Sequence, residues 1–369
     1  MCPTRKSPLA HPLSSLRRKE GLSHAAYAQL VADRHAELGF GTMAARREKI
    51  ARWESGRVTP ELTAQFTIAR LHGVPRSEVL RLGWPHWLQL AGGSSVPICA
   101  PWTAEEALRS LDALSLPSRA LAVDDGHFTV CAHSVDQLLT RWQESCGAPP
   151  SLPARQGPPL ADTTVTALED HHRRLRRLCL GEAASTGRVL ADAELRTVTE
   201  LLHTACYGPE LGTRLLAAAA RASCLSGLLA YELGDQARAQ TAYVAALRAS
   251  VPARDRGLGL SALVLLAAQQ AGQGAPANAL RILAAAGSTP QVPAGSPVPA
   301  LVEAARGAAR TLLERAAHTS PEDEFTSTEL DILIRHTFAN DALPTTAVCA
   351  QAHQEHTRAS GIPSRERLV

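Results

Sequence analysis

Arg46, Arg47, Lys49 and Arg52 fall within seven residues and are followed by Gly56, Arg57 and Pro60. Between them Ile50 and Trp53 lie three apart, so on a helix they share one face. A helix of this composition has an apolar stripe on one side and guanidinium and ammonium donors over the rest. Such donors bond phosphate oxygens and the acceptors on base edges. Glu48, set among them, can accept from an exocyclic amino group. The chemistry on offer is recognition of a polyanion, with a glycine and a prolyl turn ending the helix that presents it.

The elements that must hold this helix can be read from the flanking sequence. Residues 12–90 divide into five short helices. Pro12 suits the first turn of the first, and Gly21 ends it. Ser23 is a fitting N-cap for the second, which runs to about Leu38 before Gly39-Phe40-Gly41. The third starts at Thr42 or nearby and stops at Ser55-Gly56. The fourth opens at Pro60, carries Leu62, Phe66, Ile68, Ala69 and Leu71 on its apolar side, and closes at Gly73; the fifth is Pro75–Leu82. Charge agrees with this division. Residues 1–90 hold fourteen Lys/Arg against seven Asp/Glu, a surplus of +7, which leaves −4 for the remainder of a chain whose net charge is +3. A basic end on a mildly acidic body suits a protein that offers one part of itself to a polyanion. Only three lysines occur, and the Arg-, Ala- and Leu-rich composition resembles that encoded by GC-rich actinobacterial genomes.

The ordered set Leu13, Leu16, Arg17, Gly21-Leu22-Ser23, Tyr27-Ala28 and Ile50-x-x-Trp53-Glu54-x-Gly56 resembles the helix-turn-helix regulators of the Xre/Cro type. The resemblance implies an N-terminal domain, residues 1–90, that reads double-stranded DNA. Carried over position by position, it puts the base-reading residues at Arg47, Glu48 and Arg52, and the backbone contacts at His24, Arg46, Lys49 and Arg57. It also implies a structural ion pair between Arg17 and Glu54, joining the first helix to the end of the third. The stretch from Tyr27 to Ile50 is longer than in phage repressors, a departure shared by actinobacterial members with tetratricopeptide-like C-terminal regions. Family members act as homodimers, so a two-fold operator is expected.

Residues 91–164 read as a connecting region, rich in Gly and Pro, with a helix over Ala104–Leu114 and a small β-hairpin around Asp125-Gly126 in 120–130. From about 165 to 320 the pattern is helical and Ala/Leu-rich. Gly234, Ala239, Tyr243 and Ala246 match Gly274, Ala279, Leu283 and Ala286 at a constant offset of forty. The first copy resembles a tetratricopeptide repeat, with small residues where paired helices touch, although the period exceeds the usual length of about thirty-four. Glu194–Leu202 with Leu211–Leu229, and Pro299–Ala317, are read as flanking units. A C-terminal helical tail, 321–369, holds two amphipathic pieces, Thr326–Phe338 with a Thr326/Glu329 capping box and Thr345–Ala359. The fold expected is all-α: a five-helix DNA-binding domain followed by an α-solenoid.

Other chemistries find little support. The eight cysteines are scattered without a C-x-x-C, so they read as small buried hydrophobes in a reducing compartment. The Glu169–Arg174 run reads as a solvated face, and His353-x-x-His356 lacks the further ligands that would close a zinc site. Gly272-x-Gly274 follows a helix and has no third glycine. No nucleophile motif or defined carboxylate pair stands out, so no enzyme, no metal and no cofactor are expected. There is no signal peptide, and the longest apolar run, Leu258–Ala268, is too short for a bilayer, which gives a cytoplasmic protein without a membrane partner. The expectation is a sequence-specific transcriptional regulator whose repeat region takes a peptide, a small ligand or a protein partner. The alternative is an interaction scaffold that retains the helix-turn-helix fold without using it.

Overall fold

The computed structural model describes residues 11–91, 100–115, 135–145, 157–181, 184–273, 275–287 and 298–318. Among these residues the chain is all-α; its one extended feature is an isolated bridge between Pro159 and Cys206.

The first helices follow their local signals. Helix α1 (Pro12–Lys19) has Pro12 at its first position, and His11 caps it by accepting the Leu13 N–H on Nδ1 at 3.2 Å. Gly21, at φ +68°, turns the chain out of it. In α2 (His24–Glu37) the Ser23 hydroxyl accepts the Ala26 N–H at 3.1 Å. Ser23→Ala leaves that donor without its cap and is expected to cost about 1 kcal/mol, read as a lower urea midpoint with an unchanged slope.

Helix α3 (Arg47–Glu54) begins later than the sequence suggests. Gly39 and Gly41 adopt φ +77° and +88°, and His35 Nδ1 and the Gly41 carbonyl oxygen lie 2.9 Å apart, so the chain stays irregular up to Arg46. Phe40 anchors this loop between His35 and Phe66, beneath the Arg76 guanidinium 5.2 Å from its ring. Helices α4 (Leu62–Leu71) and α5 (Arg76–Leu82) complete the N-terminal core, followed by the short α6 (Leu88–Ala91). Leu62 is exposed rather than part of the core face, because the buried side of α4 is Ala64, Thr67, Ile68 and Ala69. Trp84 and Trp87 meet edge to face at 5.8 Å, and Gln65 accepts the Trp87 indole N–H at 3.2 Å while donating to the Pro60 carbonyl at 2.8 Å.

The C-terminal array consists of α9 (Asp162–Gly181), α10 (Ala184–Thr204), α11 (Pro209–Glu232), α12 (Gln236–Ser250), α13 (Arg256–Gly272), α14 (Pro276–Gly287) and α15 (Val298–His318), each packed on the next. Small residues allow the close approach. A Cβ at Gly227 would sit 2.7 Å from Tyr243 Cε1 and 2.9 Å from Ala242 Cβ, so α11 and α12 touch there only because Gly227 has no side chain. Gly234 (φ +83°) makes the turn, and Asp235 caps α12 through the Arg238 N–H at 3.2 Å; Asp255 does the same for α13 at Leu258, at 2.9 Å. Cys179 and Cys224 are buried in this array, and burial pushes their thiols up to about 11 and about 12, whereas Cys206 is exposed.

Two further readings of the sequence change. His172 does not lie on a solvated face: it is buried between α9 and α10, with Nδ1 2.8 Å from Glu194 Oε2, while its neighbour His171 stays exposed. Residues 100–115 and 135–145 do more than connect. Helices α7 (Ala104–Ser115) and α8 (Val135–Ser145) bury Leu108, Leu111, Leu114, Leu138 and Trp142 in the same hydrophobic core as the array. The hairpin expected at 120–130, the second glycine of the Gly272-x-Gly274 pair, and everything read from 321–369, His353 and His356 included, lie outside the described residues. No helix among the described residues is long and apolar enough to cross a membrane.

Candidate nucleic-acid interface

Helix α3 is fixed from beneath and behind. Ile50 and Trp53 are buried in the N-terminal core, at 1% and 3% exposure, which sets the rotation of the helix about its axis. Its C-terminal end is tied to α1: Arg17 donates from Nε to Glu54 Oε1 at 2.7 Å and from a terminal nitrogen to Oε2 at 3.1 Å. This two-pronged pair is 8% exposed on each side chain. Arg17 also donates to the Leu22 carbonyl at 2.7 Å, so the same guanidinium fixes the turn into α2. His24 Nε2 lies 2.9 Å from Glu54 Oε2. Burial alone would raise the Glu54 carboxyl, but Arg17 and then His24 outweigh it and hold the group below the usual carboxylate range.

With Ile50, Trp53 and Glu54 committed, the opposite side of α3 is left to solvent. Arg47 and Glu48 are 75% and 61% exposed and pair with each other, Nε to Oε1 at 2.9 Å. The hydrogen bond from Arg47 lowers the Glu48 carboxyl, so Glu48 is an acceptor at neutral pH. Arg52 is exposed, as are Arg46, which precedes the helix, and Arg57, which follows Gly56 (φ +69°). Lys49 is half-buried, its ammonium 5.9 Å from the centre of the Trp53 ring. No side chain caps the N-terminus of α3.

The residues singled out in the sequence thus fall into two groups. Arg46, Arg47, Glu48, Lys49, Arg52 and Arg57 lie on or beside the open face of α3. Arg17 and Glu54 are interior, and His24 is drawn into their network while keeping 41% of its side chain exposed. Along one flank of α3 runs a groove of about 930 Å³, lined by Arg46, Lys49 and Arg52 on the helix side and by Met43 and Val58 from the loops before and after it. Met43 and Val58 were not anticipated. The Gly39-x-Gly41 spacing was the signal for Met43, since two left-handed glycines turn the loop before α3, and Gly56 was the signal for Val58.

In chemical terms this is a convex cationic ridge, rigid at its base, with long donors that reach outward and one acceptor among them. Comparison of the chain with protein-family models, curated proteins and solved structures found no match.

Proposed function

We propose that this chain is a sequence-specific DNA-binding transcriptional regulator, with residues 12–90 as the DNA-reading unit and the helical array as the part that receives a partner. The observation that carries it is the division of labour on α3. One face is locked by Ile50, Trp53 and the Arg17–Glu54 pair, and the other is open and bears Arg47, Glu48 and Arg52. In this reading α3 enters the major groove. Arg47 and Arg52 donate to guanine O6 and N7, and Glu48 accepts from a cytosine amino group. His24, Arg46, Lys49 and Arg57 hold phosphates, with the uncapped N–H groups of α3 available to the same strand. The Arg47–Glu48 contact opens to make room for bases; an ion pair so exposed opposes this little. A homodimer would read two half-sites one helical turn apart.

Selection of sites by the full chain from a random duplex pool tests this directly and is expected to enrich a two-fold sequence with G·C pairs in each half. Three phosphate cations, Arg46, Lys49 and Arg57, on each of two protomers give an expected slope of about −5 for log K against log salt. A flat salt response with no enriched sequence would favour the scaffold reading, in which the array alone carries the activity.

A further inference from the structure

Helix α7 does not belong to the consecutive packing of the array. It lies across α10 and α12 and is held at both of its ends by arginines of α12. Arg248 donates to the carbonyls of Ala100 and Pro101 at 3.2 and 3.0 Å, with its guanidinium 5.1 Å from the Trp102 ring centre. Ten positions earlier, Arg238 donates to the Leu114 carbonyl at 2.9 Å and pairs with Asp192 at 3.1 Å. The early end of α7 therefore meets the late end of α12, and the two helices run antiparallel. Asp112 adds a tie to His203 of α10 at 2.7 Å.

The chemistry of this seat is that of a docking face. Arg238 bonds a carbonyl of the last turn of α7, where every helix offers free ones, and Arg248 bonds carbonyls of the extended segment that precedes it. Between them the seat takes Ala107, Leu108, Leu111 and Leu114, an apolar stripe at i, i+3 and i+6. Both guanidinium groups are buried, Arg238 at 7% and Arg248 at 1% exposure, so they regain water whenever α7 leaves. That rehydration offsets part of the cost of exposing the leucine stripe, which lowers the barrier to exchange for another helix. The occupant is also remote in sequence: its partners lie 124 and 148 residues away.

We propose that the α10–α12 face is a helix-binding site whose resident ligand is this chain's own α7. A partner takes it by offering an amphipathic helix with leucines three apart, preceded by an extended aromatic segment. The inference is independent of the DNA reading, since its tests contain no DNA. Native-state hydrogen exchange on the full chain is expected to show the amides of residues 107–114 exchanging at least tenfold faster than those of α11–α13, by an opening that leaves the array closed. Equal rates with the same denaturant dependence would make α7 an integral core helix and overturn the proposal. The second measurement uses the full chain carrying Leu108→Asp and Leu111→Asp, titrated with a labelled synthetic peptide of residues 100–115. The peptide is expected to bind this variant at least tenfold more tightly than it binds the wild type, and to lose at least tenfold when Arg248→Ala is added. A variant that no longer folds, or one that folds and ignores the peptide, overturns it.

Discussion

Glu54→Ala is expected to destabilise the N-terminal helices by about 3–5 kcal/mol, because it strands the guanidinium of Arg17 in a site 8% exposed. The loss is of that size because Glu54 answers two donors of Arg17 at once and also faces His24. Removing it leaves that guanidinium with the Leu22 carbonyl and with the His24 ring nitrogen 3.2 Å away. Thermal unfolding of the full chain should show an earlier transition, and DNA affinity should fall with it, since the end of α3 is no longer held to α1. A variant that lost affinity while melting like the wild type would show that the pair contributes to binding alone. The pH dependence has a definite sign. The folded carboxyl titrates below its unfolded value, so the pair's contribution is fully present above the unfolded value. It is lost as pH falls through the folded one. The gap in stability between wild type and Glu54→Ala should therefore be widest near neutrality and close in acid.

The second large effect is expected at the open face. Arg47→Ala combined with Arg52→Ala removes the two side chains proposed to read guanine, each worth about 1–3 kcal/mol of discrimination on the proposed cognate site. Together they should weaken specific binding by about 2–6 kcal/mol, roughly thirtyfold to twenty-thousandfold. The melting transition should stay where it is, because Arg47 and Arg52 are exposed and no core group depends on them. Arg47→Ala alone should relax preference at one guanine, whereas Lys49→Ala should weaken all sequences alike and lower the salt slope by about one. Double alanine substitution with no change in site preference would remove α3 from the groove and end the DNA reading.

These two variants act on opposite sides of one eight-residue helix, and the contrast between them is the sharpest test of the interface. A solvated face of no function would predict the first result without the second. A site built elsewhere on the molecule would predict neither in a binding assay.

The local features of the N-terminal helices were written in the residues themselves. Pro12, Gly21, Ser23, Gly56 and Gly73 mark helix starts and stops because capping and left-handed turns are decided by residues within a few positions of one another. The pairing of Ile50 with Trp53 on one side of α3 is equally short-ranged, as is the all-helical character of the Ala/Leu-rich half. The approach of α11 to α12 needs the missing side chain of Gly227, which faces Tyr243 and Ala242.

Other features depended on groups far apart in the chain. The loop before α3 is seated by Phe40 against Phe66 and the Arg76 guanidinium, groups of later helices that local propensity does not describe. His172 looked like one of a run of charged surface residues until α10 folded Glu194 against it. The largest such difference concerns α7 and α8, whose leucines and Trp142 sit among prolines and read as a connector. Their place was fixed by Arg238, Arg248 and the gap at Gly259, where a Cβ would lie 3.0 Å from the Trp142 ring. Helix ends are governed by interactions over one turn, and sequence alone contains these. Which helix covers which is governed by surfaces brought together across more than a hundred residues, and these exist only once the chain has folded.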